Sequence, residues 1–207
     1  MSQYFIVHPV NPQKRLIHQA AELLRAGAVI VYPTDSCYAL GCRLGDKEAM
    51  ERIRHIRQAD KDHNFTLVCR DLSEIATYAK VDNPTFRLLK AHTPGPYTFI
   101  LEATREVPRR LQHPKRKTIG IRVPDHPVPQ AILAELGEPI MSSTLILPGD
   151  DAPLTDPEEM RARLERRVEL VMDGGPCGVE ATTVLDLTGE TPRLVRAGRG
   201  DPKPFGG

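Results

Sequence analysis

Small hydroxyls and arginines recur in this chain where apolar runs begin or end. Thr34, Asp35 and Ser36 follow the run Ala28-Val29-Ile30-Val31. Thr118 and Arg122 flank Ile119 and Ile121, Ser142, Ser143 and Thr144 end another run, Thr182 and Thr183 open a fourth, and Arg196 closes the last. Arginine grips a carboxylate or phosphate through two parallel hydrogen bonds, and a hydroxyl both donates and accepts. Such a set suits a polyanionic or zwitterionic ligand, held in a crevice at strand ends. Each residue also has an ordinary reading: Thr-Asp-Ser makes turns, Thr118 suits any strand, and Arg196 could simply pair with Asp201. Their repetition at one kind of position is what points to a site.

Several chemistries are excluded. No G-x-x-x-x-G-K-[ST] is present, and Gly198-Arg199-Gly200 lacks the third glycine of a dinucleotide loop. The four cysteines (Cys37, Cys42, Cys69, Cys177) form no C-x-x-C pair and the seven histidines show no ligand spacing, so neither a disulfide framework nor a protein-built metal site is expected. The net charge of +1 predicts no polyanion partner by itself. Between Arg105 and Lys117, however, six basic residues stand against Glu106 alone. That run is either a solvated loop or a polyanion contact through Arg109, Arg110, Lys115, Arg116 and Lys117. It contains no aromatic residue for bases to stack on, so any RNA bound there would be held by its phosphates. The start, MSQYFIVHPVNP, has neither a basic beginning nor a long apolar stretch, and no run approaches a membrane span, so a cytoplasmic protein is expected.

The elements that must carry these residues are legible from periodicity. With 207 residues, 40% of them apolar, the chain can build one sizeable core. Leu16, Ile17, Ala20, Leu23 and Leu24 fall on one helical stripe between Gln13 and Ala26, stopped by Gly27. Asp46 can cap a helix to Gln58 with Met50, Ile53 and Ile56 inside, and Asn83–Ala91 and Pro127–Leu136 read as further helices. Asp156-Pro157-Glu158-Glu159 starts a helix expected to reach about Arg167. Strands are expected over 4–7, 28–32, up to Gly41, 65–69, 97–101, 118–123, 139–143, 168–172, 183–187 and 193–196. Strands and helices alternate irregularly, which predicts a single α/β (mixed α+β) domain over 1–207, a twisted mixed sheet flanked by helices. Residues 148–153 read as a loop within it.

These segments also resemble a known family. "YPTDSCYALGC" is similar to the Y-P-T-E-T-x-Y-G-L-G segment of the YrdC/YciO family of threonylcarbamoyl-AMP synthases and relatives. "TPGPYTFIL", "TIGIRVPDHPVPQAIL", "PIMSSTLILPG" and "ATTVLDLTGETPRLVRAG" follow in the family's order over almost the whole chain, and "DKEAMERIRHIRQ" with "HNFTLVCRDLSE" looks closest to the YciO branch. The resemblance implies a twisted sheet with a basic concave face. It implies condensation of L-threonine, bicarbonate and ATP, with Mg²⁺ accompanying the ATP, to threonylcarbamoyl-AMP and pyrophosphate for the t6A modification at tRNA position 37. Alternatively, it implies a non-catalytic protein binding double-stranded RNA or tRNA on that face. Carried over by position, Thr34, Arg122, Ser142 and Thr183 would form the amino-acid pocket, with Arg122 on the carboxylate. Arg57, Asn64, Thr118, Thr144 and Arg196 would lie along ATP, and His55 and Arg57 would stand in the synthases' K-x-R pair.

The departures fall on the catalytic side. The motif lysine is His55, the asparagine of S-x-N is Ile146, and the segment from Arg57 to Asn64 is three residues longer than the synthase spacing. A histidine that helps hold threonine in some relatives corresponds to Cys69.

Overall fold

The structure is a computed structural model that describes residues 1–59 and 64–206. The described residues form ten strands and six α-helices, in the order β1 (Gln3–Ile6), α1 (Lys14–Arg25), β2 (Ile30–Tyr32), β3 (Ala39–Arg43), α2 (Lys47–Arg57), β4 (Thr66–Val68), α3 (Leu72–Tyr78), α4 (Asn83–His92), β5 (Tyr97–Glu102), β6 (Thr118–Arg122), α5 (Pro127–Leu136), β7 (Ile140–Thr144), α6 (Pro157–Leu164), β8 (Leu170–Asp173), β9 (Thr183–Asp186) and β10 (Arg193–Arg196). All ten strands join one mixed sheet in the order β1-β8-β2-β3-β7-β4-β6-β5-β9-β10. Pairs β1–β8, β8–β2, β4–β6 and β5–β9 are parallel and the remainder antiparallel.

Strand side chains alternate between two faces, and the two faces have different fates. On one, Val31, Leu40, Leu67, Phe99, Ile121, Met141 and Leu185 are buried with the inner residues of α2, α3, α4 and α6. On the other, Ile30, Tyr32, Ala39, Ile140 and Leu170 are buried under α1 and α5. Those two helices cover only the β8-β2-β3-β7 half of their face. The β4-β6-β5-β9 half carries Thr66, Gly120 and Thr98 there, with Ile100 and Val184 beside them. Strand register aligns them: Gly41 pairs with Ser142, Ser142 with Thr66, Thr66 with Gly120, Gly120 with Ile100, and Ile100 with Asp186.

Local signals explain most boundaries. Asp46, Asp82 and Asp156 cap α2, α4 and α6 by accepting backbone N–H groups of Ala49, Thr85 and Glu158 at 2.9, 2.8 and 3.0 Å. Gly137 ends α5 in the left-handed conformation, its N–H on Leu133 O. Two expectations change. Helix α6 stops at Leu164, with Arg166 at φ 66°, so residues 165–167 form a turn into β8. Helix α3 was not expected. Asp71 accepts from Glu74 N at 2.9 Å while the Glu74 carboxylate takes Arg70 N at 2.5 Å, a reciprocal cap.

Candidate functional site

The uncovered half of the sheet is the floor of a cleft of about 640 Å³, within the usual range of ligand sites. Arg57 at the end of α2, Asn64 and Thr66 before and on β4, Thr118 and Gly120 on β6, Thr144 on β7 and Arg196 on β10 all line it. It runs without a break into an inner recess, sharing Thr66, Thr98, Ser142, Ser143, Thr144 and Thr182 with it. The recess has only about 30 Å³ free and is closed by Tyr32, Thr34, Ser36, Cys37, Val68 and Arg122.

Arg122 heads the recess and is 7% exposed. It is paired with the Asp35 carboxylate, whose second oxygen accepts Asp125 N at 3.1 Å, and its Nη1 donates to Ser36 Oγ at 3.2 Å. Its Nε is buried and has no hydrogen-bond partner among the described residues. An unsatisfied buried donor is costly, so this N–H is available to an acceptor entering the recess.

Following the protons assigns the hydroxyls. Ser142 donates to Leu40 O at 3.0 Å, so the 2.7 Å contact with Tyr32 must be Tyr32 O–H donating to Ser142 Oγ. Ser142 can then only accept from a ligand. Burial pushes Tyr32 up to about 12 against the opposing effects of Ser142 and Arg122, so the phenol keeps its proton at neutral pH. Its ring crosses β3 because Gly41 lies beneath: a Cβ there would stand 2.7 Å from Tyr32 Cε1 and 2.9 Å from Ile140 Cγ2. Thr34 Oγ1 donates to Cys37 O at 2.7 Å and accepts Ser36 N, Cys37 N and the Ser36 hydroxyl at 3.1, 3.2 and 3.0 Å. Its capacity is spent on its own turn, so Thr34 shapes the recess wall rather than offering a ligand contact. Burial also raises the Cys37 thiol, leaving it a neutral wall residue.

On the outer side, Arg57 donates to Ser143 Oγ and Ile146 O, and Arg196 grips Thr182 O through Nη2 at 2.8 Å and Nε at 3.3 Å. The Arg196 partners are neutral, so they fix that guanidinium without cancelling its charge, and the bonds named for Arg57 hold its side chain against the end of β7. Burial lowers the Arg57 pKa, but an arginine remains protonated.

The structure thus brings together Arg57, Asn64, Thr118, Thr144 and Arg196 in the cleft, and Thr34, Arg122 and Ser142 in the recess. Two assignments need correction, and Cys69 can be placed. Thr183 points to the opposite face, is fully buried, and bonds Gly200 O at 2.5 Å and Gly198 N at 3.0 Å. The period of two puts its neighbour Thr182 in the cleft instead. His55 is exposed and is not among the cleft-lining residues. The buried stripe of α2 is Ala49, Met50, Ile53 and Ile56. A rotation of about 100° per residue takes Arg57 past Ile56 to the cleft side and leaves His55 on the outer side. Cys69 is buried with the α2–α3 core and does not line the recess; Val68 does. The lengthening between Arg57 and Asn64 falls on residues 60–63, outside the described residues.

The basic run is not one surface. Leu111 is buried, Arg110 reaches Gly45 O, and Arg116 lines the cleft beside His113, whereas Arg109, Lys115 and Lys117 face solvent. Tyr32, Thr66 and Thr98 complete the site and are absent from the sequence reading of it, whereas Ser36 and Thr182 stand in its strand-end pattern without a role of their own. A threonine just before a buried apolar residue, Thr66 before Leu67 and Thr98 before Phe99, was the signal for two of them. Among the described residues, no group of three or more His, Cys, Asp or Glu side chains could hold a metal ion, and no helix is long and apolar enough to cross a membrane.

Comparison with known proteins identifies the family and the fold. The Sua5/YciO/YrdC family model, described as "Telomere recombination", matches residues 22–198. The uncharacterized protein YciO of Escherichia coli strain K12 is 61% identical over 205 residues, covering 99% of this chain and all of that one. Its crystal structure superposes with a TM-score of 0.95. Threonylcarbamoyl-AMP synthase of Bacillus subtilis strain 168 is 30% identical over 184 residues, 88% of this chain and 53% of its own length. P. abyssi Sua5 complexed with L-threonine superposes with a TM-score of 0.87 at 25% identity, over 95% of this chain and 58% of that one. With the family model spanning most of its length and the same fold in both solved relatives, the chain belongs to the Sua5/YciO/YrdC family.

Proposed function

We propose that the protein binds ATP along the cleft and L-threonine at the mouth of the recess, and condenses them with bicarbonate to threonylcarbamoyl-AMP and pyrophosphate. The observation that carries this is convergence: five residues from different parts of the chain, Arg57, Asn64, Thr118, Thr144 and Arg196, line one cleft that opens into the recess of Arg122. With about 30 Å³ the recess itself holds little more than a water, so an α-amino acid would sit where it opens into the cleft, its carboxylate directed at the unpartnered Arg122 Nε–H and its ammonium group at Ser142. The threonine nitrogen first gives up one proton to solvent; the free amine is then carboxylated by bicarbonate with loss of water, and the carbamate so formed supplies the attacking oxygen. That oxygen attacks the α-phosphorus and pyrophosphate departs. Arg57 and Arg196 are fixed cations at the place where phosphate charge grows, the arrangement phosphoryl and nucleotidyl transfer require. Mg²⁺ arrives with the nucleotide, held by its phosphates and water.

The test is pyrophosphate release by the purified protein with ATP, bicarbonate and each amino acid in turn. Release is expected with threonine only when all three substrates are present. No release with any amino acid, together with no ATP binding, would remove this reading. A second reading, RNA held on the same face without catalysis, is favoured by Arg109, Lys115 and Lys117, which are exposed and form no ion pair among the described residues. It predicts salt-dependent binding of structured RNA, with a log–log slope of roughly 0.7–0.9 per phosphate contacted.

A further inference from the structure

Arg116 belongs to the basic run by sequence but to the cleft by position. Its connection between β5 and β6 is a built turn. His113 Nδ1 accepts Arg116 N at 3.1 Å and Lys115 N at 3.3 Å, while His113 N donates to Thr118 O and Lys117 N to His113 O, both at 2.8 Å. Those bonds fix the backbone beside Thr118 and send the Arg116 side chain over the cleft toward β9. Its nearest carboxylate is Asp186, at 3.8 Å. That is beyond hydrogen-bonding distance.

Asp186 does not need Arg116. One of its oxygens accepts Thr188 N and Oγ1 at 3.0 and 2.6 Å, and the other accepts Arg193 Nη2 at 3.0 Å. The Arg116 guanidinium is 59% exposed and makes no hydrogen bond to the described residues, so its donors are uncommitted. Arg57 and Arg196 differ, because both are already anchored to backbone and hydroxyl oxygens. The cleft therefore has two arginines fixed in place and a third free to swing.

We propose that Arg116 is a phosphate-binding residue of the cleft: it leaves its loose association with Asp186 and closes on the terminal phosphates of a bound nucleoside triphosphate. The inference rests on the proposal that the cleft takes ATP. It gives a cationic role to a side chain from the β5–β6 connection, beside the two arginines already anchored in the cleft.

Calorimetry with ATP, AMP and inorganic tripolyphosphate on the full chain, its Arg116→Gln variant and a Lys115→Gln control tests it. Lys115 is an exposed neighbour that does not line the cleft, so for ATP, AMP and tripolyphosphate its loss reports the effect of bulk charge. Arg116→Gln is expected to weaken ATP and tripolyphosphate by about tenfold, the scale of a lost charge-assisted hydrogen bond, and AMP by less than about twofold. Arg116→Lys should recover only part of the loss, because an ammonium cannot reproduce the fork. Equal ATP affinity in the unsubstituted chain and Arg116→Gln overturns the assignment while leaving the ATP site intact. An equal loss for AMP and ATP overturns the placement on the terminal phosphates. Weakened binding of structured RNA with ATP unchanged assigns Arg116 to the RNA reading and overturns this one. No ATP binding by the unsubstituted chain overturns both the assignment and the proposal beneath it.

Discussion

At the scale of single residues, the recess is governed by an arginine that is held but not used up. Arg122 has its own carboxylate partner in Asp35 and a buried Nε–H left over. Removing one member of a buried pair leaves the other charged without compensation, which costs about 3–5 kcal/mol. Arg122→Ala is therefore expected to lower stability in urea titrations as well as ligand affinity. Arg122→Lys separates the two effects: it keeps a charge for Asp35 but loses the fork, and should weaken threonine binding by about 1.5–3 kcal/mol. Unchanged threonine affinity in Arg122→Lys, measured by calorimetry, would sink the proposed carboxylate contact. Gly41 acts through space rather than chemistry. A methyl group there must displace the Tyr32 ring or Ile140. Gly41→Ala is expected to cost about 1–3 kcal/mol, the usual scale of overpacking, and to break the Tyr32–Ser142 bond. Tyr32→Phe should lose the hydrogen bond alone, about 1 kcal/mol, so comparing the two variants isolates the packing contribution.

At the scale of elements, α5 starts on an unusual cap. His126 Nδ1 accepts Val128 N at 3.1 Å, so the neutral ring carries its proton on Nε2. Protonation of Nδ1 would remove the cap. Burial lowers the His126 pKa from its ordinary value, although Asp35 and Asp125 pull the other way. The unfolded chain thus binds this proton more readily than the folded one. Stability should rise with pH through the window below about 6.5 and fall again as pH drops through it. His126→Asn keeps a capping oxygen and removes the titration, so its stability between about pH 5 and 7 should be flatter. A pH profile as steep as that of the unsubstituted protein would assign the dependence elsewhere. This helix also shows how much the sequence disclosed. Its extent and its Gly137 stop were legible, because proline, helical periodicity and a terminal glycine are local signals. Helix α3 carried a local signal too, Asp71 and Glu74 three apart, but it is short and buries Ile75 alone, too little apolar periodicity to stand out. The site was legible as residue types at strand ends. Which face each occupied was not, because that depends on register, and a shift of one position exchanges Thr182 for Thr183. His55 was misplaced for the helical version of the same reason.

At the scale of the whole molecule, the site is not a detachable part. Its residues run from Tyr32 to Arg196, so a ligand that binds there stabilises the entire sheet. Linkage gives about 2.7 kcal/mol at a ligand concentration of 100 Kd, and for a chain of this size each kcal/mol raises Tm by roughly 2–4 °C. Saturating ATP should therefore raise Tm by roughly 5–10 °C, with threonine adding to it, and thermal shift can rank amino acids before any turnover assay. A Tm indifferent to ATP at millimolar concentration would argue against nucleotide binding.

The strand order has a kinetic corollary. Strand β1, at the start of the chain, finds its partner in β8 near the other end, and the cleft strands β4 and β6 are joined only after two helices and β5 have intervened. Pairings so distant along the chain slow folding, because loop closure must precede the contacts that reward it. Synthesis from the N-terminus leaves β1 and β2 unable to complete their part of the sheet until β8 has been made. The recess and the cleft come into being together and late, and no nascent fragment has the chemistry of the finished chain.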